Sequence, residues 1–391
     1  MKSIVKDKCS GCTACYSICP VSAITMEMDQ EGFYYPVINK EKCIHCHKCE
    51  QICPFHTQKD QKEKPKAFAA RIKNYDTLVA SSSGGMFTAI SNWFLERKYA
   101  IACSFYLANE YKVKYRLIES SFERDKALGS KYMKSDLASI YSESESWLKN
   151  NPDKLLLFVG MGCEVDGFRT YSEAKGFRER VILVDIICHG GCSPLIWKEY
   201  ANYIEDKFKS RIIDISFKDK RIDWYHPTSF AKMESGKEVS ICYVNIFNSA
   251  CAYRPSCYKC PCASVFRNSY ITLGDIWGIE KKQPKFYNPK GNSVVLIHTP
   301  LGKKIFEEIG KDIDYIECSI EDCLQHNLTA PTPEPSGRKK FWTIYETKGI
   351  EKIIRNYGKH SLFYRIKRKI IGILSQIKDV YFMKGKRSCR F

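Results

Sequence analysis

Two stretches of this chain repeat one another at a spacing of 34 residues, and both are built on cysteine. Lys6-Asp7-Lys8-Cys9 leads into Cys12, Cys15, Cys19 and Pro20; Lys40-Glu41-Lys42-Cys43 leads into Cys46, Cys49, Cys53 and Pro54. Each reads C-x2-C-x2-C-x3-C-P. Three thiolates at that spacing lie one tight turn apart and can face a single iron–sulfur cubane, while the fourth starts a short helix and ligates the other cubane. The pattern predicts two 4Fe-4S clusters. One is held by Cys9, Cys12, Cys15 and Cys53, the other by Cys43, Cys46, Cys49 and Cys19. The prolines remove a backbone donor and keep the chain from competing with that geometry. A zinc site takes four ligands from two CxxC pairs, whereas here eight cysteines fall in two complete quartets. His45 and His47, between ligands, read as exposed filler.

Twenty cysteines in 391 residues must be either a disulfide framework or metal ligands. Disulfide-stapled domains are small and secreted. This chain is long, opens without an apolar signal segment and has no run of apolar residues long enough to span a bilayer, so a reducing, cytoplasmic setting is expected. With 44% hydrophobic residues it can bury a large core. The formal charge of +18 is uneven: residues 338–391 hold 16 Lys/Arg against Glu346, Glu351 and Asp379. A near-neutral body with a basic tail argues against nucleic acid and for a surface anchor.

The organisation expected is α/β (α+β): a ferredoxin domain over 1–58, a charged linker over 59–66, a mixed α/β body in two parts (67–150 and 151–328), and a proline-containing linker with a basic helical tail over 329–391. Within the body, Lys66–Arg71 and Tyr99–Phe105 read as strands around a helix over Met86–Arg97. The apolar runs Leu155–Gly160 and Val181–Cys188 read as strands covered on both faces, joined by a helix over Cys163–Lys175 into a β-α-β unit. Further strands are expected at Ile271–Leu273 and Val294–His298. Residues 361–383 place Leu362, Ile366, Ile370, Ile373, Ile377 and Val380 at helical spacing beside Arg365, Lys367, Arg368 and Lys369. That helix can lie in a membrane interface or dock on the protein's own core; the charge concentration favours a peripheral contact with the inner membrane face.

Ser81-Ser82-Ser83-Gly84-Gly85 stands directly before the Met86 helix, where converging amides and a helix N-terminus favour an anion; a plain helix cap is the simpler alternative. Of the cysteines outside the repeat, Cys163 and Cys188 fall at strand ends, where open α/β sheets bind ligands. With Cys257 and Cys260 they could hold a third 4Fe-4S cluster, and Cys262 could replace any one of them. Cys103, Cys242, Cys318 and Cys323 read as core thiols. His189, beside Cys188, is a candidate proton donor as well as a residue that orients its turn. Asp275 and Trp277 read as shaping the site.

From Lys66 to Gly310 the chain resembles the beta subunit of coenzyme F420-reducing hydrogenase and its relatives. The segments that carry this are SSSGGMFTAI (81–90), GSKYMKS (129–135), FVGMGCEVDGFR (158–169), DIICHGGCSP (185–194), FKDKRIDW (217–224), YRPSCYKCPCA (253–263), ITLGDIWGIEK (271–281) and KGNSVVLIHT (290–299). The family usually has Pro-Cys-Gln where this chain has Gly162-Cys163-Glu164. The resemblance implies an oxidoreductase with a flavin (FAD or FMN) and at least one 4Fe-4S cluster in this region. It makes the SSSGG turn and Lys131 flavin-site residues, and Cys163, Cys188, Cys257 and Cys260 cluster ligands. It also implies a redox partner protein or a soluble two-electron donor. The multi-subunit relatives imply a second reading, a non-catalytic electron-transfer subunit that feeds a separate enzyme; relatives in bacterial surface-polysaccharide gene sets suggest that biosynthesis as its setting.

Overall fold

The structure is a computed structural model that describes residues 6–55, 63–137 and 139–358. The tail segment 361–383 lies outside the described residues, as do residues 59–62 of the 59–66 linker. At the N-terminus two short strands, β1 (Ile24–Met28) and β2 (Tyr34–Ile38), pair antiparallel between the two cysteine loops. Each loop starts a one-turn helix, Ala14–Ile18 in the first and Lys48–Gln51 in the second.

The body is a mixed sheet of eight strands. Its centre comprises β4 (Ala100–Leu107), β6 (Leu156–Met161), β7 (Val181–Ile186) and β11 (Ile271–Asp275), all parallel to one another. Antiparallel strands close both flanks: β5 (Lys112–Ile118) beside β4, then β12 (Ser293–Ile297), β3 (Lys66–Ile72) and β13 (Ile313–Cys318) beyond β11. The expected β-α-β unit is present as β6, the Gly162–Ala174 helix and β7. Parallel strands buried on both faces carry continuous apolar runs, and Leu156, Leu157, Phe158, Ile182 and Leu183 show no exposure. A smaller sheet of β8 (Ile212–Asp219), β9 (Thr228–Met233) and β10 (Glu238–Ser240) covers one end.

Two aspects differ from the linear reading. Residues 338–357 form a helix that packs on the body: Phe341, Trp342 and Ile353 are buried in the cluster that holds Trp197 and Tyr243. Charge marks this segment as surface, but its apolar stripe is covered, so the first third of the basic tail is part of the body. The ferredoxin module also docks closely on the sheet. Tyr141 donates its hydroxyl to the Cys12 carbonyl at 2.7 Å, and a Cβ at Gly167 would stand 2.6 Å from Cys12 Cβ and 2.8 Å from Cys12 Sγ. Gly167→Ala should therefore destabilise the protein by about 1–3 kcal/mol through overpacking. A variant that matches wild type in chemical denaturation would show that module and body do not meet there.

Candidate functional site

The two cysteine loops adopt the same backbone twice. Gly11 and its counterpart His45 both lie in the left-handed region (φ 68° and 55°), as do Thr13 and His47 (φ 62° and 58°), each of which precedes its one-turn helix. Those turns bend the chain so that successive thiols face one side. Burial pushes the Cys12 thiol up to about 11, with Cys53 and Cys9 adding to the effect. Cys15 is pushed up further by burial, then by Cys12, Cys9 and Cys53. Cys9, Cys12, Cys15 and Cys53 thus sit within one another's field, as the repeat predicts. In the second loop, burial and then Glu50 raise Cys49, with Cys46 also contributing. The Cys19 sulfur accepts from the Ala23 N–H at 3.2 Å. Crowded thiols that resist ionisation need cationic partners to become thiolates, and iron supplies that charge. No three His, Cys, Asp or Glu side chains among the described residues converge on a single ion; a cubane instead distributes its thiolates over different irons.

The body contributes a third quartet. Cys163 lies in the first turn after β6, Cys188 two residues beyond β7, and Cys257 and Cys260 on the turn that starts at Pro255. All four line one cavity, which Ser10 and Phe55 of the ferredoxin module help to close. Burial raises Cys188 to about 12, with Cys257 and Cys260 adding. Burial likewise raises Cys163, where Cys260 and Cys257 add and Lys134 opposes. Cys262 also lines this cavity, but its thiol donates to Asp166 at 3.4 Å.

The Gly162-Cys163-Glu164 departure has a local explanation. A Cβ at position 162 would stand 2.8 Å from Cys262 Cβ. Glu164, only 1% exposed, is held by Lys134 Nζ at 2.7 Å, the Tyr115 hydroxyl at 2.8 Å and the Met161 N–H at 3.1 Å. The carboxylate caps its own helix, and Lys134 neutralises it. Lys134 Nζ also reaches Cys163 Sγ at 4.0 Å. Burial works against the ammonium, yet Cys163 and Glu164 hold its pKa above the usual lysine value. Lys134 belongs to the GSKYMKS segment that pointed to Lys131, and nothing in the linear pattern distinguishes the two lysines.

A second, larger cavity of about 570 Å³ adjoins the first, within the range of cofactor pockets. Ser81, Ser82, Ser83, Gly85 and Lys131 line it; Gly84 does not. The Gly84 N–H donates to Ser293 Oγ at 2.9 Å, and a Cβ there would stand 2.5 Å from the Ala70 carbonyl. Gly84 therefore packs the turn onto β3 and β12. Lys220 clamps the same turn, donating to the carbonyls of Ser83, Leu78 and Lys290 at 2.8, 2.6 and 2.5 Å. Gly85 (φ 79°) then caps the Met86–Glu96 helix. In that helix's first turn Thr88 is 3% exposed, and its hydroxyl lacks a partner among the described residues. Lys131 donates to the Ala127 and Gly129 carbonyls, and desolvation lowers it to about 8.

Lys218, Asp275 and Trp277 also line this cavity. Lys218 pairs with Asp275 at 2.5 Å, Trp224 donates to Asp275 at 2.9 Å, and Trp277 stacks on Trp224 with centroids 5.0 Å apart. Asp275 and Trp277 thus form the wall, as expected. Met161, Cys188, His189 and Gly190 line both cavities. His189 is open to the space between them, and desolvation by the walls lowers its pKa.

One cysteine loop docks against the strand-end cysteines while its twin faces outward, an arrangement suited to iron–sulfur electron transfer. Residues 8–57 match the 4Fe-4S dicluster domain, and residues 153–322 match the C-terminal part of the coenzyme F420 hydrogenase/dehydrogenase beta-subunit family. Residues 153–322 thus carry that family's C-terminal domain, with the dicluster domain in front. No curated protein matches it. Thirteen chains of solved structures do. One, from the xenon-derivatised F420-reducing NiFe hydrogenase complex of Methanosarcina barkeri, is 16% identical, with 76% of this chain and 94% of that one covered at a TM-score of 0.48.

The Lys134–Glu164 pair gives a direct test. Lys134→Met leaves a buried carboxylate unpaired and should cost about 3–5 kcal/mol in denaturant unfolding. Adding Glu164→Gln should recover most of the loss; no recovery would mean that the penalty arises elsewhere.

Proposed function

We propose that this chain is an iron–sulfur flavoprotein oxidoreductase that exchanges electrons between 4Fe-4S clusters and a two-electron donor or acceptor. The observation that carries this reading is contiguity. Cys188 and His189 belong at once to the wall of the third quartet and to the wall of the large cavity. Clusters take up single electrons while most organic substrates change by two, and a bound flavin supplies the interconversion. The cavity suits an FAD or FMN by size, by the helix N-terminus beneath the serine turn, and by the unpartnered Thr88 hydroxyl.

The residues have separable tasks in this reading. The twelve cysteines of the three quartets hold iron. Lys131 and the Met86 helix start attract a phosphate, and Lys220 keeps the serine turn in place for them. His189, its pKa lowered by desolvation, stays neutral near pH 7 and can hold or release a proton at the cavity wall it lines. Lys218 and Asp275 neutralise each other beside the Trp277 ring, which suits that wall to a flat substrate.

A second reading is an electron-transfer subunit that serves a separate enzyme. It is favoured by the exposure of Cys46 and Ile44, which leaves the second quartet at the surface for a partner protein. No helix among the described residues is long and apolar enough to cross a membrane.

Two measurements test the assignment. Anaerobic reconstitution should load about twelve irons per chain, and Cys257→Ala should remove about four of them. A wild-type value that stops at about eight removes the third cluster and leaves the ferredoxin pair. For the flavin, Lys131 titrates near 8, and only its charged form attracts phosphate. Cofactor affinity should therefore fall as pH rises through about 8, and Lys131→Met should bind more weakly without that pH step. Equal retention and an equal pH profile in both proteins would place the phosphate elsewhere.

A further inference from the structure

Arg254 joins the two halves of the molecule. Its backbone lies in the body: its N–H donates to the Gly191 carbonyl at 3.0 Å, and its own carbonyl accepts from the Cys257 N–H at 2.9 Å. Its side chain crosses into the ferredoxin module. Nε donates to the Cys9 carbonyl at 2.6 Å, and one terminal nitrogen reaches the Tyr34 carbonyl at 2.9 Å and Cys9 Sγ at 3.5 Å. The guanidinium also lies over the Tyr35 ring, 4.0 Å from its centroid. The residue is 1% exposed.

Among the described residues no carboxylate pairs with this guanidinium. A buried cation whose hydrogen-bond partners are carbonyls and one sulfur is costly unless an anionic group stands beside it. Cys9 Sγ occupies that place. A thiolate-ligated cubane carries net negative charge and would balance the arginine.

The cysteine repeat records the same contact. The two loops share their backbone turns, but the left-handed position is Gly11 in the first and His45 in the second. A Cβ at Gly11 would stand 3.0 Å from the Arg254 guanidinium. Ser10 and Ala14, at 5% and 1% exposure, turn the first loop toward the body, whereas Ile44 is 59% exposed. One loop is shaped to receive Arg254; its twin faces solvent.

We propose that Arg254 is a positioning residue that locks the first quartet against the body's quartet and, by its charge beside Cys9, raises the reduction potential of the cluster held there above its value without the arginine. Adding one electron makes a cubane more negative by one charge, so a desolvated cation favours the reduced form. The planar fork reaches two carbonyls and a ring face together, which a lysine ammonium does not.

The inference rests on the reading of the quartets as cluster sites, and iron content separates the two. Full-length wild type, Arg254→Gln and Arg254→Lys are reconstituted anaerobically, assayed for iron, then titrated potentiometrically with EPR detection. The signal lost in Cys12→Ala marks the first quartet. Its reduced-to-oxidised ratio at fixed potential should fall about tenfold in Arg254→Gln, a shift of about 59 mV for one electron, and recover in part in Arg254→Lys. Wild type without iron in its first quartet would overturn the cluster reading itself. Fully loaded variants with unchanged midpoints would overturn the role of Arg254. If Arg254→Gln loses iron, Arg254→Lys decides: loss of iron there as well reduces Arg254 to a scaffold residue and overturns the tuning.

Discussion

The buried pair of Asp185 and Arg267 holds the centre of this molecule together. Asp185 ends the hydrophobic run of β7, and its carboxylate accepts from Arg267 at 3.0 Å, Ser269 at 3.0 Å and Thr272 at 2.5 Å. Arg267 reaches on to the Ile186 and Asn327 carbonyls. Every donor comes from the segment that follows Cys257, Cys260 and Cys262. One carboxylate on a rigid strand thereby fixes where a long, irregular loop places its thiols. Ion pairs as deep as this one, with both side chains 3% exposed, add little over a hydrophobic alternative, but breaking one is expensive. Their value is geometric: Cys163 and Cys188 ride on strand ends, and the loop must meet them in one register.

That arrangement also sets what the ferredoxin module can touch. Its first loop helps close the strand-end cavity with Ser10, joined by Phe55 from the end of the second repeat, and packs Cys12 against Gly167 where a larger residue could not stand. A module on a flexible tether would need none of these small residues. The second loop, a copy in sequence and in backbone, keeps His45, His47 and Lys48 because solvent tolerates them. Function and packing act on the same positions: the loop nearest the body is the one with small side chains, and the exposed loop is the one a partner can approach.

Much of this was legible in the chain. The quartet spacing is a local property, and so are the apolar runs of β6 and β7 and the helix between them; each carries its signal within a dozen residues. The body quartet was legible from strand-end logic and from the family resemblance together. What stayed hidden depends on tertiary contact. The serine turn reads as an anion cradle throughout, but Gly84 spends its N–H on Ser293, far away in sequence, and only its neighbours face the cavity. The 338–357 helix carries Lys and Arg that mark it as surface, and Phe341 and Trp342 find their cover in a cluster assembled from distant residues. Arg254 resembles any arginine before a proline until Cys9 is brought beside it.

The junction between the two cavities is where the proposed chemistry is most constrained. Gly190 has φ 154°, and a Cβ there would stand 2.2 Å from the Tyr253 ring. Its neighbour Gly191 donates its N–H to Cys257 Sγ at 3.3 Å and its carbonyl receives Arg254. The Cys188–Gly191 turn therefore cannot shift without moving a thiol of the third quartet, the arginine that reaches the first, and the imidazole that opens on the large cavity. Backbone N–H donation to a ligating sulfur stabilises added negative charge there, so the turn that positions His189 also conditions the quartet beside it. In the proposed oxidoreductase, proton delivery on the cavity side and electron delivery on the cysteine side share a few residues of backbone. That sharing explains the glycine directly after the histidine: at position 190 a side chain would collide with the Tyr253 ring, and the turn could not serve both neighbours.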